Sequence, residues 1–296
     1  MPEHILNSPS SKPINNFIRT PSFNSDKHIK LKTNIFFNQP QIQQDFLNAL
    51  ECFLKKEFNQ TIKYCLRILS KGSNHKFIYS MLIHSYIKTK NYSKASFYLQ
   101  KALSEHSNYY SLYWLLGRFY LEKENFSLAL KNFKISLRLL TKKRNLSLLS
   151  PTEFNDRKKK SISILLSDIG KLYSKKFDFH KALFYFKKAL VFYPHSKVTY
   201  KRLGYFFFKM ANNYSVLKHF KPENKTESEY KKYLLHLAIK FFSLGIFSRD
   251  HKESCCIYYW LGMSYFQLGD FKKAAECFYE VVAISEKYSF DSKYFL

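Results

Sequence analysis

The sequence predicts an all-α protein, a solenoid of about six helix–turn–helix hairpins interrupted by two insertions. Three observations predict it: a small residue recurring inside an aromatic frame, a glycine recurring in a second frame, and proline kept out of both. In the first frame the small residues are Thr61, Ala95, Ala129, Ala182, Ala238 and Ala274, spaced 34, 34, 53, 56 and 36 apart. An aromatic stands three places before each (Phe58, Tyr92, Phe126, Phe179 and Phe271, with Leu235 the exception). An apolar residue stands four places after (Cys65, Leu99, Phe133, Phe186, Phe242 and Phe278). A fixed period near 34 marks stacked supersecondary units, because one hairpin cannot bury its apolar face alone. The spacings of 53 and 56 are one period plus insertions of 19 and 22 residues.

The second frame lies in the first half of each unit. Gly117, Gly170, Gly204 and Gly262 share a position, each followed three residues later by Tyr120, Tyr173, Phe207 or Tyr265; Ile83 with Tyr86 takes that place in the second unit. Each unit therefore reads as two amphipathic helices joined by a short turn such as Gly269-Asp270. The glycine of the first helix and the alanine of the second are expected to be small because the axes cross there, with aromatics filling the space between successive hairpins. Proline removes a helix donor and clashes with the preceding turn. Five of the eight prolines lie within the first forty residues, Pro151 and Pro222 fall in polar insertions, and Pro194 follows a repeat. The expected organisation is a disordered, Ser/Asn/Pro-rich tail at 1–43, a repeat array at 44–288 with insertions at about 142–160 and 211–232, and a short tail at 289–296.

The net charge of +27, from 49 Lys and Arg against 22 Asp and Glu, resembles a nucleic-acid-binding signature. A second origin competes with it. Lys, Asn, Ile, Phe and Tyr share A/T-rich codons, so biased base composition would raise all of them together, and the charge carries information only where it clusters on one face. Five scattered cysteines in no metal-binding spacing suit a reducing compartment. With no apolar leader and no long uncharged apolar run, an intracellular protein, cytoplasmic or nuclear, without a membrane span is expected.

The paired frames resemble the tetratricopeptide repeat, a 34-residue helix–turn–helix. The fourth unit is similar at Leu166, Ile169-Gly170, Tyr173, Phe179, Ala182, Phe186, Ala189 and Pro194, and the sixth at Leu261-Gly262, Tyr265, Gly269, Phe271, Ala274 and Phe278. The resemblance implies a right-handed α-solenoid that acts as a protein-binding scaffold or adaptor, as a subunit of a larger complex, with the first helices lining a concave groove. Groove positions would hold Trp114, Arg118, Lys171, Lys201, Tyr205, Tyr259 and Met263, with Lys175 and Arg202 nearby. Basic side chains interleaved with aromatics suit an acidic or amphipathic protein segment. They would also suit single-stranded RNA, so an RNA-binding helical repeat is the alternative. The Lys/Asn clamp with which one branch of the family grips a chaperone's C-terminal carboxylate is not evident.

No phosphate-cradling glycine loop, metal spacing or carboxylate pair stands out. Neither an enzyme nor a cofactor is expected. Two basic clusters, Lys143-Arg144 and Arg157-Lys158-Lys159-Lys160, lie twelve residues apart in the first insertion and are a candidate nuclear-import signal. No polar capping helix follows the sixth unit, so self-association or docking at the C-terminal end is expected to cover it.

Overall fold

The computed structural model describes residues 40–141, 151–246 and 251–288. Among them are thirteen helices and no strand, an all-α repeat solenoid. They are α1 (Pro40–Leu54), α2 (Phe58–Ser70), α3 (Lys76–Lys88), α4 (Tyr92–Glu105), α5 (Tyr110–Glu122), α6 (Phe126–Thr141), α7 (Pro151–Lys175), α8 (Phe179–Phe192), α9 (Lys197–Ala211), α10 (Tyr214–Phe220), α11 (Glu227–Ile246), α12 (His251–Leu268) and α13 (Phe271–Tyr288). The chain divides into two compact units after Leu115. In the first unit, α1 packs on α2 and α3 on α4, and fully buried Asp45 of α1 takes Arg67 of α2 at 3.2 Å and Lys71, just past the end of α2, at 2.9 Å. In the second, α7 packs on α8, α9 on α11 and α12 on α13. Leu203, Phe207, Leu235, Phe242 and Leu261 belong to one continuous core there.

The hairpin turn is built the same way in five units. One residue with left-handed backbone precedes the second helix: Lys56 (φ 64°), Lys90 (58°), Glu124 (58°), Phe177 (60°) and Gly269 (83°). The next amide reaches back to the fifth residue before it: Glu57 to Cys52, Asn91 to Tyr86, Asn125 to Tyr120, Asp178 to Tyr173 and Asp270 to Tyr265, at 2.8–3.1 Å. This is the Schellman ending, which satisfies carbonyls left without a helical partner. Asn91, Asn125, Asp178 and Asp270 then accept a backbone N–H three residues on and so cap the second helix. Only Gly269 adopts this conformation freely; an L-residue there costs about 1–2 kcal/mol.

All six small residues of the first frame are buried, but the glycines are not opposed by the alanines. A Cβ on Gly117, Gly170, Gly204 or Gly262 would meet the ring of Phe133, Phe186, Phe242 or Phe278, at 2.5–2.8 Å. Each ring therefore fills a notch within its own hairpin rather than the space between hairpins. The remaining two units hold Ala49 with Cys65 and Ile83 with Leu99, sixteen residues apart like every glycine pair except Gly204 and Phe242, which the second insertion separates; all four are buried. The larger first residue is matched by a smaller second one, as a close-packed interior requires.

The insertions are more helical than their composition suggested. α1 begins at Pro40 and α7 at Pro151, because proline fits the first turn of a helix, where its missing N–H has no partner to lose. Residues 151–160 thus extend α7. Within 211–232, Asn213 caps α10, whose Val216 and Leu217 enter the core. α11 opens with a capping box in which the Thr226 amide donates to Glu229 at 2.8 Å and the Glu229 amide donates to the Thr226 hydroxyl at 3.2 Å. The expected tail up to residue 39, and 289–296, lie outside the described residues.

Candidate partner-binding face

The proposed groove residues fall as i, i+4 pairs on first helices, which places each pair on one helix face: Trp114 and Arg118 on α5, Lys171 and Lys175 on α7, Lys201 and Tyr205 on α9, Tyr259 and Met263 on α12. Trp114 belongs to the first unit, where its ring lies 6.3 Å from that of His84. The remaining residues belong to the second unit and form an ionic part and an aromatic part.

The ionic part runs from α5 to α9. Lys171 Nζ lies 3.3 Å from Glu122 Oε1, and Lys175 Nζ lies 3.7 Å from Glu124 Oε1. Arg202 Nη2 lies 2.6 Å from Asp168 Oδ1. Its Nη1 donates to Ser167 Oγ at 2.8 Å and to the Ile164 carbonyl at 3.3 Å. Arg202 thus ties α9 to α7, and the Asp168 carboxylate that holds it is buried. Burial lowers Arg118 from its ordinary value, and Arg202 adds to this while Asp168 and Glu122 oppose it. Burial likewise lowers Lys171, against the opposing pull of Glu122 and Asp168. For Glu122, burial acts upward, but Lys171, Lys175 and Arg118 outweigh it and hold the carboxyl below its usual range. Five cations, Arg118, Lys171, Lys175, Lys201 and Arg202, thus share this face with three carboxylates.

The aromatic part joins α9 to α12. The Trp260 ring stands 5.0 Å from Tyr205, 5.1 Å from Phe208 and 5.2 Å from Tyr259. Lys209 Nζ sits 5.6 Å from the Tyr205 ring centre, within cation–π range. Met263 is partly buried against the core. Sequence reasoning missed Asp168 and Trp260. Each lies two residues from a frame glycine, off the spacing used to pick groove positions. Of the candidate import signal, Lys143 and Arg144 lie outside the described residues. Arg157, Lys158, Lys159 and Lys160 lie on helix α7, with all but half-buried Lys158 exposed. No group of three or more His, Cys, Asp or Glu among the described residues could hold a metal ion. None of their helices is long and apolar enough to cross a membrane.

Two stretches of the chain, residues 165–194 and 256–288, match family models described as tetratricopeptide repeat. These two stretches are tetratricopeptide repeats. The matched stretches cover most of α7–α8 and α12–α13, two of the three hairpins in which the glycine notch and the Schellman turn occur together. No curated protein matches the sequence at a significant level. Among solved structures, a chain of the APC/C hetero-tetramer Cut9–Hcn1 is 14% identical, with a TM-score of 0.58 over 90% of this chain and 44% of its own. This chain therefore spans less than half the length of that neighbour. PilF of Pseudomonas aeruginosa is 12% identical, with a TM-score of 0.47 over 70% of this chain and 75% of its own. At such identities the likeness is one of fold. The tetratricopeptide repeats make the chain a protein-interaction scaffold.

Proposed function

We propose that this scaffold is an adaptor subunit whose first-helix face, from α5 to α12, holds an acidic or amphipathic segment of a partner protein. The observation that carries this reading is the excess of cations over carboxylates on α5, α7 and α9, beside the Trp260 aromatic cluster. Half-buried cations have lost part of their hydration, so an added carboxylate is worth more there than at a fully exposed lysine. Arg202 serves the α7–α9 contact, so the segment's carboxylates would be met by Arg118, Lys171 and Lys201. The aromatic cluster supplies apolar anchorage for the same segment.

The test uses a fluorescent amphipathic peptide with a glutamate-rich polar face, titrated into the full chain. Lys171→Gln with Lys201→Gln should weaken binding about tenfold or more, equivalent to at least about 1.4 kcal/mol, while the matched outward pair Lys187→Gln with Lys188→Gln leaves it intact. Binding should fall as salt rises, since partly exposed charges are screened within about 8 Å at physiological ionic strength. Equal loss from both pairs would show general charge attraction instead of a site. Displacement of the peptide by single-stranded RNA at comparable concentration would favour the RNA-binding alternative.

A further inference from the structure

Helix α13 turns Phe271, Ala275, Tyr279 and Val282 to solvent, with Phe271 63% and Tyr279 75% exposed. Their spacing of four, four and three residues makes one continuous apolar stripe. In the two preceding second helices the positions equivalent to Ala275 and Val282 are covered, while those equivalent to Tyr279 are exposed Lys187 and half-buried Ser243. Leu183 and Leu190 of α8, and Ile239 and Ile246 of α11, are partly buried against the core, where α9 packs on α8 and α12 on α11. The Ala275 and Val282 side of the α13 stripe therefore corresponds to the stacking surface of a hairpin, Tyr279 widens it with an aromatic where α8 carries a lysine, and among the described residues nothing stacks on it.

The charges beside the stripe indicate what does. Lys272 lies near its amino end, and Glu276 and Glu280 follow, all three exposed; Lys273 is held by Asp270 at 2.7 Å. In a chain of net charge +27, two exposed glutamates make this short face less basic than the chain as a whole, which lowers the repulsion between two copies that meet through it. If two α13 helices run antiparallel, Tyr279 of each meets the small Ala275 of the other and Phe271 meets Val282. Lys272 of each then faces Glu280 of the other. We propose that the α13 stripe is a self-association face whose occupant is α13 of a second copy of this chain, in an antiparallel two-fold arrangement. Such an interface is isologous, so each contact occurs twice. The stripe spans only about 17 Å of helix, so the dimer belongs to the small, reversible class of interfaces.

Analytical ultracentrifugation of the full chain across a wide dilution series tests this. The wild type should dimerise reversibly, and Tyr279→Glu with Val282→Glu should raise the dissociation constant by about a hundredfold or more. Lys272→Glu and Glu280→Lys, at exposed positions that do not endanger the fold, should each weaken the dimer, and the two together should restore it. Phe97→Glu, an equally exposed aromatic on α4, should leave the dimer unchanged. Circular dichroism confirms that each variant is folded. A wild type monomeric at every concentration, a dimer indifferent to the Tyr279 and Val282 changes, or a double charge swap that fails to restore association would each overturn the proposal.

Discussion

Replacing Gly204 by alanine isolates the notch-and-ring packing of the repeat. A Cβ at that position would lie 2.5, 2.6 and 2.7 Å from Cδ1, Cε1 and Cγ of Phe242, where carbon atoms prefer about 3.5–4.0 Å. The ring must retreat by about 1 Å, and it is fully buried in the core of the second unit. Forcing extra volume into such a site costs about 1–3 kcal/mol, and contacts this short belong at the upper end. Alanine recovers about 1 kcal/mol as the better helix former. The balance is a net loss of about 2 kcal/mol, equivalent to a melting temperature lower by roughly 4–8 °C. Urea unfolding followed by circular dichroism gives the free energy directly. Phe242→Leu alone should also destabilise, by leaving a void. Combined with Gly204→Ala it should be milder than the sum of the two by about 1 kcal/mol, because the chain already uses the pair Ile83 and Leu99 at the equivalent positions. Gly245→Ala is the control: its Cβ would first meet Ile257 Cδ1 at 3.2 Å, the far end of a flexible side chain, so the change should stay within about 0.5 kcal/mol. If Gly204→Ala melts at or above the wild-type temperature, or if the two changes simply add, the glycine is not there for the ring.

Four further outcomes follow from the turns, a cap, the thiols and the basic helix. Phe177→Gly should stabilise the protein by about 0.5–1 kcal/mol in thermal melts, since it relieves a left-handed phenylalanine, whereas Gly269→Ala should destabilise it. Burial, aided by Lys76 and His106, holds His75 below its ordinary value of 6.5, while its ring accepts the Phe77 amide at 3.4 Å and caps α3. A histidine that binds fewer protons folded than unfolded leaves stability intact above pH 6.5 and loses it as pH falls below that value. His75→Asn, which keeps an acceptor and cannot titrate, should flatten that slope in pH-dependent melts. Burial pushes the Cys65 thiol to about 12 and that of Cys277 to about 11, so at pH 8 a disulfide reagent should label half-buried Cys256 first and reach Cys65 only on unfolding. Changing Arg157, Lys158, Lys159 and Lys160 to alanine should move a fluorescent fusion out of the nucleus, and nuclear entry regardless of these four would remove the import reading.

The repeat was legible in the sequence because its frames are set by volume and backbone shape, which survive change of residue. Thr61, Cys65 and Ala49 keep the notch without a single glycine or phenylalanine among them, so spacing identified the unit even where its letters differ. What composition hid was helical structure under polar residues. Pro40 and Pro151 were read as breaks, yet each sits where a helix accepts proline. Thr226-Glu227-Ser228-Glu229 carries the capping-box spacing in plain view, and only the expectation of a loop across 211–232 obscured it. The turns were half visible. Gly269-Asp270 announces one, but Lys90-Asn91 and Phe177-Asp178 adopt the same backbone at a cost that no residue preference reveals.

The candidate face was legible in charge sign but not in charge pairing, and the pairing changes its chemistry. Counting Arg202 among the ligand-binding cations treats it as available, whereas its guanidinium spans α9 to α7 through Asp168, Ser167 and the Ile164 carbonyl. The arginine and its carboxylate lie 34 residues apart, one repeat period, and so stand on neighbouring hairpins at nearly equivalent positions. A search for charge pairs at i, i+4 cannot find such a partner; a search at the repeat period can. The same geometry explains why the face holds lysines with exposed carboxylate partners at one end and an arginine with a buried one at the other. If the proposed segment binds, Lys171 would exchange Glu122 for an incoming carboxylate at little cost, since both groups remain partly in water. Arg202 cannot leave Asp168 without stranding a buried charge, which costs several kcal/mol. On the proposed reading, recognition would work through Arg118, Lys171 and Lys201 while Arg202 holds the hairpins in register.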